Sequence, residues 1–237
     1  MNPYEITPDS RFQADAIGAE NRVSLFLRRV YGWMFAGLAL TGLVAMGMAS
    51  QPALVVNFAR TPVLFFGLMI AELGLVVYLS ARVLRMAPSM AIGAFVAYAA
   101  LNGVLFSVLF LAYTATSVAT TFFITAGMFG GLALFGTLTK RSLAGIGSFV
   151  SMGLIGLFLA MIVGMFVHSG GLQFAISIIG VIVFTGLTAW DAQRLKAMAV
   201  ATPEGHVENL AIIGALRLYL DFVNLFLFLL RFMGRRR

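Results

Sequence analysis

The sequence predicts an all-α membrane protein of seven helices. Three observations lead there: 61% of its 237 residues are hydrophobic, only 11% are charged, and the apolar residues gather into long runs. A helix needs about 20 apolar residues to cross roughly 30 Å of hydrocarbon. Segments of that size fall at 30–50, 60–81, 88–112, 115–138, 142–167, 172–192 and 209–230. A soluble domain of ordinary composition is excluded.

Residues 1–27 are polar and charged and read as a flexible cytoplasmic tail, ahead of one transmembrane domain at 28–237. They lack the short apolar core and small-residue cleavage site of a signal peptide. The breaks between segments are short and hold Pro52, Pro62, Pro88, Gly170, Gly171, Pro203 and Gly205. Such residues end helices, so sequence neighbours should pack as antiparallel hairpins. The longest connection, 196–208, carries Glu204 and Glu208 and reads as a mobile loop. Gly127, Gly130, Gly131, Gly136, Gly153 and Gly156 read as close-packing positions, since small residues let helices approach in lipid. A glycine-lined permeation path is the sharper alternative.

The net charge of +7 gives no cause to expect nucleic acid, because the basic residues flank apolar runs and so report topology. Arg11, Arg22, Arg28 and Arg29 precede the first span and favour a cytoplasmic N-terminus. Arg82, Arg85, Lys140, Arg141, Arg194 and Lys196 then fall on the same side, against Arg60 on the other. The seventh segment breaks the pattern, because a full crossing sends Arg231, Arg235, Arg236 and Arg237 outside. A full crossing and a re-entrant helix buried in protein both remain open. Only Lys140 and Lys196 among 16 basic residues are lysines, an arginine bias pointing to a GC-rich bacterial genome and a bacterial inner membrane. Without cysteine the chain has no thiolate chemistry and no disulfides.

Charge inside the spans is confined to Glu72, Asp191, Asp221 and Arg217, with Arg82 near the end of the second span. A charge at the bilayer centre costs on the order of 2.5–3.5 kcal/mol even on lenient scales, so such residues face the bundle and find partners. Each also has a structural reading. Arg217 and Asp221 are four apart and can pair on one helix face. Asp191 can bridge locally to Arg194 or Lys196, and Glu72 can hydrogen-bond a neighbouring helix. If the last two helices bring Asp191 opposite Asp221, the two carboxyls share a proton and titrate as one unit. Loss of that proton sets carboxylate against carboxylate, biasing a helix rearrangement and exposing oxygen ligands suited to a hard cation such as calcium.

The stretch 218–226, LYLDFVNLF, resembles the C-terminal signature of the Bax inhibitor-1 family, as does the ending LLRFMG at 229–234. TAWDAQRLK at 188–196 resembles that family's sixth-helix motif, with Trp190 and Ala192 departing from the usual Tyr-Asp-Thr-Gln pattern. The resemblance runs from about residue 20 to the end. It implies six helices around a central C-terminal one and a pH-sensitive calcium leak governed by Asp191 and Asp221, which would hold calcium transiently. It further implies a second-helix arginine beside the pair, best matched by Arg82, and a second-helix glutamate, best matched by Glu72. Arg217 is not part of that signature. The expected partners are the lipid bilayer, protons, calcium ions and other membrane proteins. No cofactor is expected.

Enzymatic readings fare poorly. An intramembrane aspartyl protease would resemble its family in a GxGD motif, whereas Asp221 follows Leu-Tyr-Leu. GxSxG and HExxH are absent, and His168 and His206 fall in expected loops. The rival function is a regulator that binds other membrane proteins, such as a membrane protease, as bacterial members of the resembled family suggest. No inverted repeat with paired broken helices supports a secondary transporter.

Overall fold

A computed structural model describes residues 8–167, 169–201 and 207–236 of the protein. The helices in chain order are α1 (Pro8–Ala49), α2 (Pro52–Arg60), α3 (Pro62–Arg82), α4 (Pro88–Phe106), α5 (Leu109–Ala112), α6 (Ala115–Leu138), α7 (Ala144–Phe166), α8 (Gly170–Ala201) and α9 (Val207–Met233). A 3-10 turn at Val83–Arg85 extends α3. Among the described residues seven helices are long and apolar enough to cross a membrane. No strand occurs there; the one β-bridge is an isolated pairing of Tyr113 with Arg236.

Local chemistry sets the boundaries. Pro52, Pro62 and Pro88 occupy the first turn of α2, α3 and α4, where a missing N–H costs nothing. Thr114 caps α6 by accepting a hydrogen bond from the Ser117 backbone N–H.

Two expected loops are largely helix. α1 begins at Pro8, inside the stretch expected to be a flexible tail at 1–27. Phe26 is 2% exposed and Val30 fully buried, so the charges of Arg22, Arg28 and Arg29 ride on the outer face of a helix whose inner face joins the core. The expected mobile connection 196–208 shortens likewise. Lys196 lies on α8 and Glu208 in the first turn of α9, while Glu204 and His206, like His168, lie outside the described residues.

The seven spans divide the core unequally. The apolar window of α9 is 72% buried within the protein and that of α3 only 6%. α9 packs directly on α1, α4, α6 and α8, whereas α3 packs mainly on α4 and α7 on α8. α9 is unbroken over its 27 residues, about 40 Å at 1.5 Å per residue. Its first turn joins Arg29 and the Val83–Arg85 turn, and the segment after it joins the turn before α6. It therefore runs the length of the bundle.

The glycines behave unevenly. A Cβ on Gly136 would strike the Ala189 backbone carbonyl, and one on Gly147 the ring of Trp190, so α6 and α7 both close tightly on α8 beside Asp191. Gly153 meets Val183 more loosely, while Gly127, Gly130, Gly131 and Gly156 face open space, contrary to the expectation that all six glycines serve close packing.

Candidate functional site

Asp191 on α8 and Asp221 on α9 are both 5% exposed and face each other within hydrogen-bonding reach. α8 and α9 are antiparallel neighbours with extensive contact, and this packing brings together carboxyls 30 residues apart in sequence. Asp221 Oδ2 is the buried side-chain polar atom without a hydrogen-bond partner among the described residues. Burying a carboxyl oxygen without a donor is costly.

Arg217 Nη1 lies 3.4 Å from Asp191 Oδ1. The four-residue spacing suggested that Arg217 would pair with Asp221; its hydrogen bond instead crosses to α8. The local bridges considered for Asp191 do not form. Arg194 stacks over the Trp190 ring at 5.5 Å, and Lys196 Nζ donates to the Thr137 carbonyl at 3.0 Å. Gln193 of the same motif clamps the turn before α7, accepting from Leu143 N–H at 2.8 Å and donating to the Arg141 carbonyl at 2.9 Å. Trp190, wedged against Gly147, and Ala189, against Gly136, fix the α8 backbone just before the carboxyl.

The two second-helix residues lie apart from the pair. Arg82 is exposed, and Arg217 is the guanidinium that reaches Asp191. Glu72 is half-buried and lies beside Tyr98 and Asn102 of α4, where the Asn102 amide donates to the Tyr98 carbonyl at 3.2 Å. Tyr98 meets Tyr219 edge-on at 5.8 Å, and the Tyr219 hydroxyl lies 2.7 Å from Thr41 Oγ1, which also donates to backbone carbonyls of α1 and α4. Sequence reasoning overlooked this neutral network, whose one signal is a tyrosine at mid-span two residues before Asp221.

A second overlooked cluster joins one end of the bundle. Glu208 accepts from Trp33 Nε1 at 3.0 Å and pairs with Arg29 at 3.4 Å. Asn209 donates to the carbonyls of Val83 and Met86. The start of α9 is thereby tied to α1 and to the turn between α3 and α4.

Among the described residues no group of three His, Cys, Asp or Glu side chains could hold a metal. Two carboxyls fall short of the 6–8 oxygen ligands that calcium takes, so any cation here keeps water or borrows carbonyls.

Comparison with known proteins agrees with the motifs in this site. The family described as "Inhibitor of apoptosis-promoting Bax1" matches residues 23–237. The chain is 46% identical over 215 residues to the inner membrane protein YbhL of Escherichia coli K12, covering 90% of this chain and 92% of that one. It is 43% identical to RP147 of Rickettsia prowazekii, with 90% of each chain covered. It is 36% identical to YrjE of Lactococcus lactis, over 99% of this chain and 97% of that one. None of these names denotes an enzyme. With the family match spanning every helix that contributes to the carboxyl pair, the chain belongs to the Bax inhibitor-1 family of membrane proteins.

Proposed function

We propose that the protein is a pH-sensitive calcium leak of the bacterial inner membrane, gated by a proton shared between Asp191 and Asp221. The observation that carries this reading is the buried carboxyl pair with an oxygen of Asp221 left without a donor. With one proton between them the carboxyls form a hydrogen bond that joins α8 to α9. Without it two anions oppose each other at low dielectric, and the guanidinium of Arg217 pairs directly with Asp191 alone of the two. The state with α8 and α9 apart then gains population, and the carboxylates become ligands for a hard cation.

Inner-membrane residence is in keeping with the printed name of the Escherichia coli relative. Arg22, Arg28, Arg29, Arg85, Lys140 and Arg141 gather at the end of the bundle where α1 begins, which favours a cytoplasmic N-terminus. Arg231, Arg235 and Arg236 then face the other side.

The test is calcium flux into liposomes containing purified protein. Wild-type flux is expected to change with pH, and Asp191→Asn and Asp221→Asn are each expected to flatten that response. Normal pH sensitivity in both variants removes the shared-proton gate. No flux at any pH removes the leak and favours a regulator of other membrane proteins.

A further inference from the structure

A groove of about 610 Å³ lies between α1 and α6 toward the end of the bundle away from the start of α1, floored by α9. Leu38, Met46, Phe110 and Phe122 line its walls and Phe222 and Phe226 its floor. Its hydroxyl, that of Thr41, is already engaged with Tyr219 and two backbone carbonyls, so the slot presents no free hydrogen-bonding side chain there. Gly42 opens the wall further, with nothing within 4 Å of where its Cβ would stand.

Cations are fixed at the end of this groove. The Arg235 carbonyl accepts from Thr114 N–H at 3.3 Å, its N–H donates to Ser117 Oγ at 2.9 Å, and Arg236 bridges to Tyr113. Ala115 and Val118, which line the groove, are the sequence neighbours of those contacts. Both arginine side chains are exposed. These contacts anchor the backbone of two arginines where a span ends, beside a slot that opens sideways between spans.

We propose that this groove is a binding site for a phospholipid with an anionic headgroup, its acyl chain between α1 and α6 and its phosphate at Arg235 and Arg236. The volume falls within the roughly 300–1,000 Å³ of ligand pockets. Hydrocarbon is the medium at this depth, and a slot without free polar groups accepts an acyl chain at no hydrogen-bonding cost. Arginine pairs with phosphate through charge-assisted, bidentate hydrogen bonds, which a zwitterionic headgroup offsets with its own cation.

Native mass spectrometry of the delipidated full chain, titrated with phosphatidylglycerol or phosphatidylcholine of matched acyl chains, tests the assignment. Wild-type protein is expected to retain phosphatidylglycerol preferentially, and Arg235→Gln and Arg236→Gln each to lower that retention roughly fivefold. Gly42→Leu, which fills the slot, is expected to lower retention of both lipids at unchanged thermal stability. Ala119→Leu on the facing wall serves the same purpose if the first variant does not fold. Equal retention of the two lipids by the wild type overturns the headgroup assignment. Undiminished phosphatidylglycerol binding in a folded slot-filling variant overturns the groove. A dimer that the slot-filling variants disperse gives the groove to a second copy of the chain and also overturns the proposal.

Discussion

Two buried polar clusters lie on opposite faces of α9, because Tyr219 and Asp221 are two residues apart and side chains two positions apart on a helix point about 200° from each other. On the Tyr219 face, the Asn102 amide donates to the Tyr98 carbonyl, and the Tyr219 hydroxyl is joined to Thr41 and through it to backbone carbonyls. On the Asp221 face, two carboxyls confront each other and one oxygen has no donor. The contrast separates a scaffold from a switch. A polar network held by hydrogen bonds between neutral groups resists change, whereas one completed only by a mobile proton changes its energy when that proton leaves.

The largest effect that could break this contrast is expected at Asp221. Asp221→Asn keeps the shape and supplies a permanent donor, so calcium flux should lose its pH dependence altogether while the protein stays folded. Arg217→Gln should instead retain the response and move its midpoint to higher pH, because removing a cation from beside a carboxylate disfavours the ionised form. On the scaffold side, Gly136→Leu sets a side chain against the Ala189 backbone and should cost about 1–3 kcal/mol in denaturant unfolding. Tyr219→Phe removes one buried hydrogen bond and should cost about 1 kcal/mol with the pH response of flux intact. Altered pH gating in that variant would merge the two clusters into one. The smallest effect belongs to Glu208→Gln, whose partly exposed pair with Arg29 should be worth less than about 1 kcal/mol and weaken with salt.

The spans were legible in the sequence because lipid imposes a length and a composition that few other environments demand. Their ends were less so. Arg11, Asp15, Glu20 and Arg22 read as a tail when taken as charges in a row, yet Val23, Phe26 and Val30 recur at three- and four-residue spacing and bury one stripe of α1. Helical periodicity held the correct answer, and charge density masked it. The two aspartates could be found from their cost in the membrane, but not the partner of Arg217. The four-residue rule describes neighbours on one helix, and the contact made is with another. Tyr219, Thr41 and Asn102 went unnoticed because neutral side chains raise no comparable penalty, and their pairing depends on which faces of α1, α4 and α9 meet.

Trp190 precedes Asp191 and packs its ring against Gly147, while Trp33 donates to Glu208 at the start of α9. These are the two tryptophans of the chain. The protein thus carries its own optical reporters. Emission from Trp190 is positioned to follow the ionisation of the carboxyl pair, and emission from Trp33 the seating of the last helix. Replacing either with phenylalanine leaves a single-emitter protein. Because cysteine is absent, one introduced thiol can carry a quencher to any chosen helix without background labelling.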